Sequence, residues 1–340
     1  MLVGSFGKGA FEHSYASAFK EIKCEVLTFD IIAAEMRNCR LGKFGQLFNK
    51  FVPVEPWIRK ANRELILEVR KFKPEIIIVF GQNRVLTGAI AQIKAMLPIK
   101  IVFIWQDTML NLSSHLINTL CLYDLICTYS KSNIIPLELL GGRRVVWLPL
   151  CAEPHFNLNT IDKFKCDISF IGQWRPEREA VIAEILNQFP HLTIKIWGTD
   201  WKRRSHNQKI INAWQGRPLY GIEFEQAILS SKLNLNIIDD TNFPAANLRF
   251  FEISCAKGLQ LSSLCPEMED EFKNGVSMFY FNTNEELVRI INYLLKNELL
   301  IEKVRLSAYE KVIEAHTYKQ RAIQIYDLLN LTSSDLNSNS

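Results

Sequence analysis

The chain has 340 residues, of which 48% are hydrophobic and 22% are charged, and its net charge is +4. This balance excludes an intrinsically disordered chain, and the length allows two globular domains of ordinary size. The longest apolar runs, such as EIIIVF and IKIVFIW, are far shorter than the roughly 20 residues of a membrane-crossing helix, so no such helix is predicted.

The beginning of the chain and its cysteines both predict a cytoplasmic protein. The first residues, MLVGSFGKGAFEH, lack the basic segment, apolar stretch and cleavage site of a secretory signal. The eight cysteines lie in apolar contexts without a CxxC pair, so we expect reduced core thiols rather than a disulfide framework or a zinc site.

The charge is unevenly divided between the two halves. Residues 1–150 contain 19 Lys and Arg against 12 Asp and Glu (+7), whereas the rest of the chain contains 21 against 24 (−3). A basic first half favours an anionic partner or contact with a membrane surface. Nucleic acid is not expected, because the basic residues are dispersed and no recognised binding module is present.

Strand-like runs alternate with helical patterns from the first residue onward, which predicts α/β domains with parallel sheets. The runs are apolar throughout, as expected of strands covered on both faces by helices. Those of the first half are MLVGSF, CEVLTF, EIIIVF, IKIVFIW, DLICTY and RVVWLP. They predict a first doubly wound domain over residues 1–150.

Two residues in loops of this first domain are candidate catalytic groups. His13 begins the helix after GSFGKG and can act as a base toward an acceptor hydroxyl, unless it is an ordinary surface histidine. Asp107 follows the fourth strand and either contacts substrate or caps the next helix. The glycine loop has the spacing GxxGxG from Gly4, with only Asp30 as a candidate ribose ligand, so an NAD site is not indicated.

Residues 41–60, LGKFGQLFNKFVPVEPWIRK, interleave basic and aromatic side chains. This composition is typical of a segment that lies on a membrane surface, so peripheral membrane contact is predicted here. The alternative is a partly buried loop whose lysines reach water, because long amphipathic side chains often cover apolar surface.

A polar, proline-containing connection over residues 151–166 leads to a second α/β domain, predicted at residues 167–317. Its strands are DISFIG, LTIKIWG, KLNLNII, LQLSS and VSMFYF. A last helix is predicted at residues 318–330, followed by a polar, disordered tail at residues 331–340. Open α/β sheets bind ligands at the carboxyl ends of their strands, so the loops at those ends should carry the function.

The loop after DISFIG has the residues of an anion site. Gly172 ends the strand, Arg175 lies in the loop, Pro176 suits the first position of a helix, and Arg178 falls in its first turn. Glycine allows close approach, a helix start offers free N–H groups, and guanidiniums supply forked donors, which together match a phosphate or diphosphate. Alternatively, the arginines are solvated or pair with neighbouring glutamates.

A second helix start of this kind lies in NLRFFEISCAKG. Asn247 can cap a helix that begins near Leu248, which places Arg249 in the first turn and Glu252 one turn later. A cation in the first turn opposes the helix dipole by roughly a few tenths of a kcal/mol, so Arg249 indicates an anionic ligand. Glu252 would then accept hydrogen bonds from hydroxyls. The alternative is an ordinary Arg249–Glu252 pair on the helix surface.

Two further features lie at strand ends. Gly198, after the strand IKIW, can let a nucleoside approach the backbone, with Trp197 and Trp201 beside it, although tryptophans are commonly packing residues. Asp239 and Asp240 are adjacent, so their side chains should point apart, and no third ligand is evident. No metal site is predicted.

In combination, these motifs resemble the CgeB-like (spore-maturation) glycosyltransferases, relatives of family 4 enzymes with the GT-B fold. The resemblance rests on FIGQWRPER, IWGTDW, NLRFFEISCAKG, PEMEDEF and HTYKQRA, which occur in the family's order between residues 167 and 329. It implies two Rossmann-like domains that face each other across a cleft, with the nucleotide-sugar donor held by the C-terminal one and the acceptor by the N-terminal one. It also implies a last helix that crosses back to brace the first domain.

The resemblance also assigns roles residue by residue. The diphosphate loop corresponds to Gly172, Arg175 and Arg178, the helix start at the phosphates to Asn247 and Arg249, and the ribose-binding glutamate to Glu252. One position departs from the pattern. Many family 4 enzymes have a glutamate near the transferred sugar eight residues before the ribose-binding one, where this chain has Pro244. Retention of the anomeric configuration is therefore not assumed.

The implied activity is metal-independent sugar transfer of the hexosyltransferase type. The donor would be a nucleotide sugar, a UDP- or GDP-sugar first of all, and the acceptor a saccharide, a lipid-linked compound or a protein. No cofactor besides the nucleotide-sugar co-substrate is expected. Guanidiniums, with Arg249 foremost, would meet the charge on the departing diphosphate. Two alternatives remain open: a catalytically weak or inactive protein that binds nucleotide sugars or serves assembly, and an epimerase acting on the nucleotide sugar itself.

Overall fold

The computed structural model describes residues 1–7, 9–40, 42–154 and 164–337. The chain divides into two compact units, one made of residues 1–149 and the segment from residue 318 onward, the other of residues 150–317. Each unit is built on one parallel sheet. The predicted connection at residues 151–166 falls partly outside the described residues, and its last residue, Cys166, already belongs to a strand.

The first unit contains a parallel sheet of six strands in the order β2-β1-β3-β4-β5-β6. The strands are β1 (Leu2–Gly4), β2 (Thr28–Asp30), β3 (Ile76–Phe80), β4 (Lys100–Trp105), β5 (Leu125–Thr128) and β6 (Val145–Trp147). The helices are α1 (Phe11–Glu21), α2 (Ile31–Asn38), α3 (Gly42–Phe51), α4 (Glu55–Phe72), α5 (Thr87–Met96), α6 (Ser114–Ile117) and α7 (Ile134–Leu139). All six strands predicted for this half therefore form.

The core of the first unit lies where helices pack against the sheet. Strand residues Val79 and Phe103 are buried, and so are Leu65 and Val69 of α4, which recur at the four-residue spacing of one helix face. Both faces of the central strands are covered, which is why their sequences are apolar runs without polar alternation.

The second unit contains a parallel sheet of five strands in the order β11-β10-β9-β7-β8. The strands are β7 (Cys166–Ile171), β8 (Ile194–Trp197), β9 (Ser231–Asn236), β10 (Gln260–Ser263) and β11 (Phe279–Phe281). The helices are α8 (Pro176–Gln188), α9 (Trp201–Arg204), α10 (Gln208–Ala213), α11 (Gly221–Leu229), α12 (Leu248–Cys255), α13 (Asn284–Leu294) and α14 (Glu298–Ala315). The five strands predicted for the second half are confirmed as well.

The last helix, α15 (Tyr318–Asn337), packs in the first unit. Tyr318 meets Tyr15 of α1 edge to face, with ring centroids 5.1 Å apart, and the guanidinium of Arg321 donates to the carbonyl of Pro149 at 2.7 Å. The helix is longer than predicted. Residues 331–337, predicted as part of a disordered tail, are helical, and residues 338–340 lie outside the described residues.

None of the helices in the described ranges combines the length and the apolar character needed to cross a membrane.

Candidate functional site

The candidate site lies where the strand order of the second sheet changes direction. β7 and β9 are neighbours in the sheet, but the connection from β7 leads to β8 on one side and the connection from β9 leads to β10 on the other. A crevice opens outside the carboxyl ends of two such strands, and open α/β sheets bind ligands there. The loop that starts at Gly172 follows β7, and the loop of residues 237–247 follows β9.

A buried carboxylate in the loop after β9 holds two arginines that follow β7, one at the cap and one in the first turn of α8. Asp239 is only 4% exposed, and its Oδ2 lies 3.2 Å from Nε of Arg175 and 3.2 Å from Nη2 of Arg178. Thr241 and Asn242 also donate hydrogen bonds to Asp239. Asp239 was weighed from the sequence as a metal ligand and as a substitute for the acidic residue missing at Pro244, whereas the structure makes it the anchor of both guanidiniums.

Arg178 is the more deeply placed of these two arginines, with its side chain 14% exposed and Nη1 donating to the carbonyl of Gln173 at 3.0 Å. Burial lowers the pKa of Arg178 below its usual range, the carboxylate of Asp239 opposes this, and the nearby charges of Arg175 and Arg249 lower it further. The guanidiniums of Arg175 and Arg249 are therefore close enough to repel that of Arg178. An anion placed among them would relieve that repulsion.

The start of α12 is prepared for an anion by its cap. The side chain of Asn247 accepts a hydrogen bond from the N–H of Phe250 at 3.0 Å, as predicted, and exchanges two amide hydrogen bonds with Asn236 at the end of β9. Within the described part of the chain, the N–H groups of Leu248 and Arg249 donate no hydrogen bond. These two groups are free to bind a ligand at the positive end of the helix.

The side chain of Arg249 connects α12 to the end of β7. Its Nε donates to the carbonyl of Ile171 at 3.3 Å, its guanidinium carbon lies 4.4 Å from the centre of the Phe224 ring, and its Nη1 pairs with Glu252. The Arg249–Glu252 pair that the sequence left open therefore forms, and both side chains are half-buried at the site rather than exposed on a free helix surface.

The two helix starts differ in their charge. The first turn of α8 contains Glu177 and Glu179, whereas that of α12 contains no acidic residue. Glu179 is turned toward other partners, because it accepts hydrogen bonds from Nε1 of Trp174 and from Ser205. Acidic residues neutralise a helix N-terminus, so α12 offers the more favourable anion site of the two.

The glycines at the strand ends bring two loops of the protein together. A Cβ on Gly198, whose φ is +146°, would lie 1.8 Å from the carbonyl oxygen of Gly172. Trp201 is fully buried and donates from Nε1 to the same oxygen at 2.9 Å. The close approach at Gly198 is therefore made by Gly172, and Trp201 is a core residue, as the packing alternative for the tryptophans predicted. Binding of a nucleoside at Gly198 stays a prediction.

The two catalytic candidates of the first half lie in the first unit. His13 is exposed, with Nε2 3.0 Å from the carbonyl of Phe6 and its ring edge to face against the Phe6 ring. Asp107 accepts hydrogen bonds from the N–H of Thr108 at 2.8 Å and from the amide groups of Asn111 and Gln82. Asp107 thus organises its own loop. It does not cap the next helix, because the cap is Thr108, whose side chain accepts a hydrogen bond from the N–H of Leu110.

A buried acid beside His13 was not among the residues predicted from the sequence. Glu12 is 6% exposed, and its Oε1 accepts a hydrogen bond from the N–H of Ser5 at 3.3 Å, in the loop after β1. Burial raises the pKa of Glu12 above the ordinary glutamate range. A helical position next to a glycine loop was the only sign of it in the sequence. Among the described residues, no cluster of three or more His, Cys, Asp or Glu side chains is arranged to hold a metal ion.

Comparisons with known proteins bear on the fold and on part of the sequence. Residues 175–327 match a family model described as glycosyl transferase-like. The whole chain is structurally similar to HepE from Anabaena in complex with UDP, with a TM-score of 0.62, 12% identity, and 97% of this chain and 98% of HepE covered. A glycosyltransferase from Rickettsia africae is similar with a TM-score of 0.63, 13% identity, and 96% of this chain and 97% of that protein covered.

HepE in complex with UDP-glucose is similar as well, with a TM-score of 0.60, 15% identity, and 97% of this chain and 91% of HepE covered. No curated protein is similar to this chain in sequence at a significant level. At such low identities the structural matches show the fold, which is that of GT-B glycosyltransferases, with two Rossmann-like α/β domains as predicted. The CgeB-like subtype stays a prediction.

Proposed function

We propose that this protein transfers a sugar from a nucleoside diphosphate sugar, with UDP-sugars as the first candidates, to a hydroxyl of an acceptor. The proposal rests on the positive groups at the carboxyl ends of β7 and β9. They are the free N–H groups of α12 and the guanidiniums of Arg175, Arg178 and Arg249. The similarity to HepE, whose structures contain UDP and UDP-glucose, favours uridine as the base.

The proposed role of these groups is to hold and neutralise the leaving diphosphate. Cleavage of the sugar–phosphate bond leaves growing negative charge on the diphosphate, and preorganised guanidiniums and helix N–H groups stabilise that charge. We propose that they do so without a divalent cation. Arg178 is fixed by Asp239 and by the carbonyl of Gln173, so it needs little reorganisation when the donor binds.

Arg249 and Glu252 are proposed to exchange partners when the donor binds. In the structure described here Arg249 donates to Glu252, and no other hydrogen bond of the Glu252 carboxylate is found among the described residues. A phosphate at the start of α12 would attract the guanidinium of Arg249. The Glu252 carboxylate would then accept hydrogen bonds from the ribose hydroxyls, as a ribose-binding acidic residue does in other Rossmann-like domains.

The acceptor is proposed to bind at the first unit. His13 and Glu12 lie beside the loop after β1, where β1 has β2 on one side and β3 on the other and the strand order again changes direction. We propose His13 as the base toward the acceptor hydroxyl and Asp107 as a residue that shapes the acceptor loop. The acceptor would be a saccharide, a lipid-linked compound or a protein. The free thiols of all eight cysteines suit a reducing cytoplasm, where we place the reaction.

A second candidate function is nucleotide-sugar binding without transfer. Many relatives in the proposed family have an acidic residue near the transferred sugar at the position where this chain has Pro244. The carboxylate of Asp107 already accepts hydrogen bonds from Thr108 and Asn111 of its own loop. Both observations argue against catalysis, whereas the groups proposed to bind the diphosphate are unaffected by them.

Calorimetric titration with UDP-glucose, UDP, GDP-mannose and ADP-glucose, followed by an assay of donor hydrolysis, separates the two functions. The proposed transferase binds a nucleotide sugar and slowly hydrolyses it to the free sugar, with turnover that persists in EDTA. Binding with no hydrolysis and no transfer to any acceptor supports the binding protein. If none of the nucleotides binds, both candidate functions are wrong.

A further inference from the structure

Helix α3 presents its apolar side to solvent. Phe44, Leu47, Phe48 and Phe51 are spaced at three- and four-residue intervals along one face and are 79%, 56%, 52% and 79% exposed. We call these four residues the α3 stripe. Val52, directly after the helix, is half exposed too. An apolar stripe on a helix of a globular unit normally faces the core, so its exposure here calls for a partner.

The opposite face of α3 is polar and is fixed to the protein. Gln46 donates to the carbonyl of Met36 at 3.2 Å, and Asn49, which is fully buried, accepts from the N–H of Val54 at 2.8 Å. Asn49 also donates to the buried carboxylate of Glu35. Rotating the helix to hide the stripe would break these hydrogen bonds and leave buried polar groups unsatisfied.

The close packing of α3 also depends on Gly45. A Cβ at this position would lie 1.8 Å from the carbonyl oxygen of Arg40 and 3.4 Å from the ring of Trp57. Only glycine therefore lets the helix approach the loop before it and the first turns of α4. The orientation of the α3 stripe is fixed by the sequence on the inner side of the helix.

The charge around the α3 stripe selects the type of partner. Lys43 on α3 and Arg40 just before it are exposed, and residues 1–150 carry 19 Lys and Arg against 12 Asp and Glu. A second copy of the chain would bring like charges together across a symmetric contact. An anionic membrane surface would instead attract these cations while the aromatic side chains enter the interfacial region.

We propose that the α3 stripe docks the first unit on the surface of an anionic lipid bilayer, with Phe44 and Phe51 inserted between headgroups. This goes beyond the proposed sugar transfer and does not depend on it, because lipid binding can be measured without any donor or acceptor. If the transfer also holds, an acceptor that is itself lipid-linked becomes the favoured class.

Vesicle sedimentation tests this proposal. The full chain is mixed with vesicles of phosphatidylcholine and phosphatidylglycerol at a 3:1 ratio, roughly 25% anionic lipid, or with phosphatidylcholine alone. Wild type is expected to bind the anionic vesicles and to be released by high salt. The double variant F44S/F51S should bind about tenfold more weakly or worse, because each buried aromatic ring contributes strongly to interfacial binding.

The matched control is the double variant I135S/L139S, which removes two exposed apolar residues four positions apart on α7 of the same unit. It should bind vesicles as wild type does. The variant K43E should bind anionic vesicles more weakly and pure phosphatidylcholine unchanged. Circular dichroism and the melting temperature show that each variant is folded, which is expected because the substituted side chains are exposed.

Three results would overturn the proposal. The first is a wild type that does not sediment with anionic vesicles even at low salt, and the second is binding of F44S/F51S to these vesicles as strong as that of wild type. The third result has two parts: wild type does not bind vesicles, and size-exclusion chromatography with light scattering finds a wild-type dimer that is absent in F44S/F51S. The α3 stripe would then be an interface between copies of the chain.

Discussion

At the carboxyl ends of the strands in the second sheet, buried partners hold the charged side chains in place. At the carboxyl ends of the strands in the first sheet, one catalytic candidate is exposed and the other is hydrogen-bonded to loop residues. Asp239 fixes Arg175 and Arg178, and Asn236 fixes the start of α12. In the first unit, by contrast, His13 is exposed on a helix and Asp107 serves its own loop. The comparison teaches that the proposed donor side is preformed, whereas the proposed acceptor side would have to be completed by its ligand.

The largest expected effect comes from removing the buried anchor of the donor side. Asp239→Ala leaves the half-buried Arg178 without its carboxylate, and breaking a buried ion pair costs about 3 kcal/mol or more in free energy of unfolding. Arg175 is half exposed and adds little to this cost. Urea denaturation should show the loss, and calorimetry should show no measurable binding of UDP.

Asp240→Ala is the matched control, because Asp240 is the exposed neighbour of Asp239. It should change neither stability nor UDP binding noticeably. If D239A binds UDP with wild-type affinity, the preformed donor side is disproved.

The next effect concerns the transition state. Arg249→Ala removes a forked donor from the departing diphosphate, which should lower kcat/KM with the true donor by about 30- to 900-fold, corresponding to roughly 2 to 4 kcal/mol. Arg249→Lys should recover only part of the loss, because a lysine cannot donate in a fork. Steady-state assays measure the change in kcat/KM. The control is Arg289→Ala on the exposed side of α13, which should leave kcat/KM unchanged. Wild-type turnover of R249A would contradict the assignment.

A smaller effect separates the ribose from the diphosphate. Glu252→Gln should weaken UDP binding by about tenfold, because a charged hydrogen-bond acceptor for the ribose hydroxyls is lost. Binding of inorganic diphosphate should not weaken, since Arg249 is released from its pair with Glu252. Parallel titrations with the two ligands measure the difference. An equal loss for both would place Glu252 at the phosphates instead.

The smallest effect is on the stability of the first unit and depends on pH. Because burial raises the pKa of Glu12, its neutral form favours the folded state, and this contribution is lost as the pH rises through the folded pKa. Glu12→Gln should therefore raise the melting temperature at neutral pH. The difference should vanish in acid below the ordinary pKa of glutamate, where both side chains are neutral. A lower melting temperature of E12Q at neutral pH would show that Glu12 is stabilised in its charged form.

The strands and the strand-end loops were predictable from the sequence, but the partners of the site residues were not. Apolar runs such as EIIIVF identify buried parallel strands, and Gly172, Arg175 and Asn247 are recognisable because they directly follow such runs or precede a helix. Nothing in the local pattern shows that Asp239 binds Arg178, since the two residues are brought together only by the neighbouring positions of β7 and β9.

Two other features of the structure could not be read from the sequence, for the same physical reason. Periodicity identifies the apolar face of α3 but not its direction. That direction depends on the hydrogen bonds that Gln46 and Asn49 donate to residues before the helix and on the one that Asn49 accepts from Val54 after it. The spacing around Gly198 indicates a close approach but not which group approaches. In both cases the deciding contact is tertiary, and a single sequence contains no record of it.

A crystal structure of the protein with UDP tests the central claim most directly. The account predicts diphosphate oxygens within about 3 Å of the guanidinium of Arg249, of Arg175 or Arg178, and of the N–H groups at the start of α12. A diphosphate bound elsewhere, with the Arg249–Glu252 pair intact and the start of α12 in contact with water alone, would contradict it.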